Sequence, residues 1–214
     1  MRTRFLQRAW RLAKNPRMAA AYSSYLAQRA TGRDPFVPAH GGRIFGYRRF
    51  NDFWSVCCGR LSPAEIALIR RVHGKHLFDV GGNYGVFTVA LAREHPNSTI
   101  HTFEPGPRIF QVLEGNVRRN GLENVRRNPM AVSDSCGTVR FTQSTSCDAL
   151  NRLGEDVSDT TQGSRTFDVQ AITIDDYCQN AGVDRIAFLK IDVEGAEPKV
   201  LRGARNMLTE QRVD

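Results

Sequence analysis

The sequence predicts an open α/β sheet, mainly parallel, with helices on both faces. Three observations predict it. Apolar strands and helical runs alternate from His76 to Asn120 with short turns between them, the pattern of parallel βαβ units with right-handed crossovers. A Gly-rich turn joins the first of these strands to its helix, as in sheets that hold ligands at the carboxyl ends of their strands. The 214 residues, 41% hydrophobic, 24% charged and 9% aromatic, suffice for one domain with its own core and match no disordered, collagen-like or membrane-spanning composition.

Residues 1–35 read as a basic helical arm. Up to residue 33 the chain carries Arg2, Arg4, Arg8, Arg11, Lys14, Arg17, Arg29 and Arg33 and no acid, while the other 22 basic residues balance 22 acids. The net charge of +8 therefore belongs to the arm. Phe5, Leu6, Ala9, Trp10 and Ala13 recur at helical spacing until Pro16, which predicts a short basic amphipathic helix. Its readings are a solvated cap on the body, a peripheral contact with an anionic membrane or an acidic partner, and an Arg-rich transit peptide. Nucleic acid is not expected as a partner, because no recognition motif continues the basic pattern into the body.

Residues 36–75 form an extension. Short Pro, Gly and aromatic runs between Phe36 and Gly59 predict a hairpin or two. Ser62-Pro63-Ala64-Glu65 reads as a capping box with Pro at the first helical position, followed by Ile66, Leu68, Ile69 and Val72 and a stop at Gly74.

Residues 76–214 carry the α/β body. Expected in order are a strand over His76–Val80, a helix from Gly85 to Glu94, a strand over Ser98–Glu104 and a helix over Pro107–Asn120. A third strand, VRRNPMAVSD, ends at Ser133 or Asp134, and GTVRFTQ follows as a short β segment. The polar stretch 142–166 reads as a mobile lid or as disorder. VQAITID, a strand over Arg185–Val193 and a helix from Pro198 to Leu208 complete the reading. A sheet of this kind normally continues beyond such a helix, so the chain is expected to stop short of the last strands.

The chemistry is concentrated at three strand ends. In Asp79-Val80-Gly81-Gly82-Asn83-Tyr84-Gly85 the glycines follow D-x-G-x-x-x-G rather than the G-x-G-x-x-G of a dinucleotide site. A carboxylate there repels a pyrophosphate and favours an ammonium or sulfonium group, which points to S-adenosylmethionine over a nicotinamide cofactor. A tight turn that binds nothing is the alternative. Glu104, at the end of the second strand, is placed to accept hydrogen bonds from ribose hydroxyls, and its alternative is a solvated strand-end acid. Lys190, Asp192, Glu194 and Glu197 crowd the exit of an apolar strand. A helix N-terminus explains Glu194 and Glu197 well, but Lys190 and Asp192 require partners or a ligand.

DVGGNYG, FEPGPRIF with NVRRN after it, NPMAVSD, ITIDDY and LKIDVEGAEPKVLRGA resemble, in order and spacing, the FkbM family of S-adenosylmethionine-dependent methyltransferases over residues 76–208. The resemblance implies the class I methyltransferase fold, Rossmann-like with seven strands, and O-methylation of a hydroxyl on a sugar, glycolipid or natural product. By position, Asp79, Gly81, Gly82, Asn83 and Gly85 would cradle the methionyl moiety. Glu104 would hold the ribose, Pro105 would pack near the adenine, Val132, Ser133 and Asp134 would line its edge, and Asp192 would face the methyl donor. Gly82 replaces the family's usual Ala, a change expected to loosen the turn.

Such a transfer needs an aligned acceptor hydroxyl and a base. Asp192 is the first choice, Glu194 and Glu197 are alternatives, and Lys190 would pair with a carboxylate or polarise the acceptor oxygen. A divalent ion on Asp192 and Glu194 is a lesser reading, and no metal is assigned. None of the five histidines lies in these motifs, and His76 and His101 read as structural. Phe53 and Trp54 suit core packing better than sugar stacking. The alternative function is an incomplete, inactive methyltransferase-fold binding protein. The five cysteines, odd in number and without metal-ligand spacing, read as reduced thiols and, with no apolar run for a bilayer or signal peptide, point to the cytoplasm.

Overall fold

The computed structural model describes residues 13–32, 34–46, 53, 61–144, 152–153 and 164–214. Helix α1 (Pro16–Ala30) begins at an Asn-Pro cap, where the Asn15 side chain accepts a hydrogen bond from the Met18 amide at 3.2 Å. The sequence pattern ends a helix at Pro16; the structure begins one there, because Pro suits the first turn of a helix. Of the stretch expected to be helical, Phe5 to Ala13, Ala13 is helical and the residues before it lie outside the described residues. Met18 and Tyr25 of α1 are buried with Phe53, Val37 and Ile44, so this part of the basic segment is packed against the body. Phe53 is a core residue, and Trp54 lies outside the described residues.

Strands β1 (Val37–Ala39) and β2 (Gly42–Ile44) form an antiparallel hairpin. Helix α2 (Pro63–Arg71) carries the expected capping box. Ser62 Oγ accepts from the Glu65 amide at 3.2 Å, and Glu65 Oε2 accepts from the Ser62 amide at 2.7 Å.

The central sheet contains β3 (His76–Val80), β4 (Thr99–Phe103), β5 (Val125–Asn128) and β10 (Phe188–Ile191), all parallel, in the order β10-β3-β4-β5. The connections β3–α3–β4–α4–β5 use α3 (Val86–Glu94) and α4 (Pro107–Arg119). Alternation along the strands separates two cores. Leu77 and Ile100 pack with Ile69, Leu91 and Leu113 of α2, α3 and α4. Phe78, Val80 and Phe103 face the other way, against α5 (Ile174–Ala181), α6 (Glu197–Arg202) and α7 (Arg205–Thr209), through Tyr177, Val200 and Met207.

A second sheet has the order β6-β9-β7-β8, with β6 (Ala131–Val132), β7 (Gly137–Ser144), β8 (Arg152–Leu153) and β9 (Ser164–Ile172). The single strand expected over VRRNPMAVSD is therefore two strands in two sheets, divided at Pro129-Met130, where proline has no amide for a ladder. The polar stretch is also shorter than expected. Thr142 pairs with Thr166 and Ser144 with Ser164 in the β7–β9 ladder, and 145–151 and 154–163 lie outside the described residues.

The extended run expected through Asp175 ends at Ile172, and Thr173 caps α5 by accepting from the Asp176 amide at 3.0 Å. The last strand is Phe188–Ile191, preceded by a bridge between Ile186 and Val213. The helix expected over 198–208 is two helices that part at Gly203, whose backbone passes so close to the Ser133 carbonyl that a Cβ would collide with it. Among the described residues no helix is long and apolar enough to cross a membrane.

Candidate active site

The β3–α3 turn folds around a buried acid. Asp79 has no solvent exposure. Its Oδ2 accepts from Thr88 Oγ1 at 2.6 Å, and its Oδ1 lies 3.1 Å from Lys190 Nζ across the β3–β10 register. Lys190 donates to the Gly81 carbonyl at 2.9 Å and stands 3.7 Å from Asp192 Oδ2. Burial opposes the charge on Lys190, but the carboxylates of Asp79 and Asp192 outweigh it and hold the ammonium above its ordinary pKa. Asp79 is thus the neutralised anchor of the turn, not an open negative charge at its mouth.

Gly81 adopts a left-handed φ of 84°, and its backbone lies so near the Asp192 carbonyl that a Cβ would collide with it. A Cβ on Gly82 would press on Thr102 Oγ1 and the Leu113 side chain. The glycine that differs from the family's usual alanine is therefore tightly packed against β4 and α4 and does not loosen the turn.

Glu104 is the second buried acid, 6% exposed. Its Oε2 accepts from the Asn83 amide at 3.0 Å and its Oε1 from the Gly106 amide at 2.8 Å. Burial raises its pKa to about 7 against these two hydrogen bonds. Asn83, held at φ 46°, carries a buried side-chain oxygen with no hydrogen-bond partner. A buried acceptor left unmatched in this way costs about 1–3 kcal/mol unless a ligand satisfies it.

The segment after β10 divides the four candidate acid–base residues. Glu197 braces its own loop, with Oε1 accepting from the Val193 amide at 3.0 Å and Oε2 from the Gly195 amide at 2.9 Å; backbone hydrogen bonds hold its pKa below the ordinary value. Glu194 sits at a left-handed φ of 53°. The Asp192 side chain is 67% exposed.

These elements surround one cleft at the carboxyl ends of β3, β4 and β10, about 580 Å³ when the space open to solvent is counted. Gly81, Asn83, Glu104, Pro105, Val132, Asp192 and Glu194 line it. Asp79, Gly82 and Gly85 shape the turn behind it, and Lys190 and Glu197 support its rim without lining it. Ser133 and Asp134 also stand off the wall. Ser133 donates its amide to Ile172, and Asp134 is ion-paired to Arg202 at 2.8 Å, with its pKa lowered by that guanidinium. The apolar lining contributed by Met130, Ala131 and Phe141 was not anticipated. The alternation in GTVRFTQ could have indicated Phe141, but nothing local signals that its sheet folds over the cleft. Among the described residues no three His, Cys, Asp or Glu side chains group to hold a metal ion.

Parallel strands with helices on both faces, and a cleft where their carboxyl ends meet a Gly turn and a buried acid, define the α/β class I methyltransferase fold. The chain belongs to the methyltransferase FkbM domain family, whose model matches residues 79–214. It is 28% identical over 158 residues to 31-O-demethyl-FK506 methyltransferase FkbM of Streptomyces tacrolimicus, covering 62% of this chain and 60% of that protein. Methyltransferase sdnD of Sordaria araneosa is 29% identical over 153 residues, 59% of each chain. The 2-O-methyltransferase NoeI of Sinorhizobium fredii is 27% identical over 149 residues, 64% of this chain and 60% of that one. The chain thus spans about 60% of the length of these curated relatives.

Proposed function

We propose that the chain is an S-adenosylmethionine-dependent O-methyltransferase acting on a hydroxyl of a small-molecule or glycan acceptor. The observation that carries this reading is the pairing, in one cleft, of the unpartnered Asn83 Oδ1 with a buried Glu104 carboxylate whose two oxygens each accept only one backbone hydrogen bond. Each Glu104 oxygen retains a lone pair for a ribose hydroxyl, and Asn83 retains an acceptor for a donor on the ligand. Pro105, Val132 and Phe141 offer the apolar wall that a purine ring requires. Two relatives whose printed names specify an O-methyl position support oxygen as the acceptor atom.

S-adenosylmethionine supplies an electrophilic methyl group when bound. The chain's own residues do the rest. The exposed Asp192 at the cleft rim, with Lys190 Nζ 3.7 Å from its Oδ2, accepts the acceptor's hydroxyl proton. Lys190 itself remains committed to Asp79 and the Gly81 carbonyl and holds the turn in shape.

Calorimetric titration of S-adenosylhomocysteine into the 214-residue protein tests the reading. Micromolar binding is expected, weakened about tenfold or more in Glu104→Ala and in Asn83→Ala. No binding by the folded wild-type protein would contradict it.

A further inference from the structure

The two asparagines of NVRRN take no part in the cleft, yet the first of them, Asn116, has no solvent exposure. It stands in the apolar stripe of α4 beside Leu113 and Val117, where an apolar residue would favour both the helix and the core. A buried amide persists at such a position only with its hydrogen bonds made. The partners of Asn116 are all backbone groups. Its Oδ1 accepts from the Phe45 amide at 2.8 Å, and its Nδ2 donates to the Phe45 carbonyl at 3.3 Å and to the Tyr84 carbonyl at 2.8 Å. The side chain thus pairs with Phe45 as a neighbouring strand would, and its other N–H reaches the β3–α3 turn.

Tyr84 is the point at which that turn needs a hold. It lies between Asn83, at φ 46°, and Gly85, at φ 85°. A residue other than glycine keeps such a φ only where its surroundings impose it. The Tyr84 side chain is buried in one cluster with Met18 and Tyr25 of α1, Val37 and Ile44 of the hairpin, and Phe53. Its ring is therefore held by the extension, and its carbonyl by a side chain that also grips the extension. These extension residues precede residues 79–214, which the family model matches. Asn120, the second asparagine, supplies the comparison. Its Oδ1 accepts from the Arg43 amide at 2.8 Å, and its Nδ2 donates to the carbonyls of Arg43 and Asn116, each at 2.7 Å. It clamps the same hairpin to the same helix, but none of these bonds reaches the turn.

We propose that Asn116 is a positioning residue for the cofactor site: through the Tyr84 carbonyl it ties the N-terminal extension to the β3–α3 turn and holds Asn83 in its binding conformation. The inference rests on the reading of that turn as an S-adenosylmethionine site, and its first test needs no ligand.

Asn116→Ala and Asn120→Ala each remove one clamp on the hairpin, but only the first frees the Tyr84 carbonyl. In the full chain without ligand, hydrogen exchange of the Asn83 and Gly85 amides should speed about tenfold or more in Asn116→Ala and stay within about twofold of wild type in Asn120→Ala. S-adenosylhomocysteine affinity should fall about tenfold in the first variant alone. The pH midpoint of that affinity should also rise there, because the displaced Asn83 amide no longer donates to Glu104. The charges that act on Glu104, from Lys190 and Asp79, are the same in both variants. Where Asn116→Ala does not fold, the wild-type protein decides: by reciprocity, S-adenosylhomocysteine should slow exchange of the Phe45 amide more than that of the Arg43 amide. Equal turn exchange in the two alanine variants, or equal slowing at Phe45 and Arg43, would overturn the proposal. Turn exchange that still divides the two variants in a protein that binds no S-adenosylhomocysteine would overturn the cofactor reading instead.

Discussion

The pH dependence of cofactor-site binding follows from Glu104. In the free protein burial raises its pKa to about 7, so the carboxyl is half protonated near neutrality. A ribose diol donates two hydrogen bonds and requires an acceptor, so binding selects the ionised form. The sign follows directly: affinity for S-adenosylhomocysteine rises with pH through the free-state pKa and levels off above it. Protonation of a group with that pKa weakens binding about tenfold between about pH 8 and about pH 6, equivalent to about 1.4 kcal/mol. At the midpoint, binding releases about half a proton, which calorimetry reads from the dependence of the apparent enthalpy on buffer ionisation. Glu104→Gln keeps the side-chain shape, removes the titration and exposes whatever pH dependence the ligand itself contributes. The same pH profile in wild type and Glu104→Gln, or a flat profile in the wild type, would refute the assignment of this carboxyl to the ribose.

Three predictions concern the frame that holds the site. His101 lies without exposure between His76 and Tyr177, at 3.0 Å and 2.8 Å, and burial together with His76 lowers its pKa to about 3. The unfolded chain binds that proton near pH 6.5, so the stabilisation is complete above that pH and is lost on acidification, about 2 kcal/mol by about pH 5; urea unfolding of wild type against His101→Gln isolates it, and equal pH slopes would contradict it. Lys190→Met leaves Asp79 buried without a counter-charge and should cost about 3–5 kcal/mol, much of it recovered in Lys190→Met/Asp79→Leu; an unrecovered double variant would show that the pair is not what the site depends on. Gly82→Ala drives a methyl group into Thr102 and Leu113 and should destabilise by about 1–3 kcal/mol, visible as a lowered Tm; an unchanged Tm would mean that α4 yields freely.

Local signals carried much of the architecture. The capping box at Ser62, the strand over His76–Val80 and the Gly-turn were readable because each depends on neighbours within a few residues. The acids of the cleft were readable as strand-end residues for the same reason. Their division of labour was not, because the Asp79–Lys190 ion pair depends on the register of two strands whose paired residues lie 111 positions apart in sequence. Glu104 and Asp79 look alike in sequence; one opens onto the cleft and the other is sealed behind it. The break at Pro129 was visible as a proline, yet its consequence, two strands in different sheets, is a tertiary choice. Thr173 and Asp176 have the spacing of a helix cap, and the apolar run before them masked it. Similarly, Gly203 ends α6 because the backbone of residue 133 passes beside it, a contact that no local pattern encodes.

The most direct measurement of the central claim is a map of amide chemical-shift changes on titrating S-adenosylhomocysteine into the isotope-labelled 214-residue protein. The account predicts that the largest changes fall on Gly81, Asn83, Glu104, Val132 and Val193, around the cleft, and that Arg118 and Gly46, which do not line it, stay in place. Saturating ligand that shifts none of the cleft amides would contradict it.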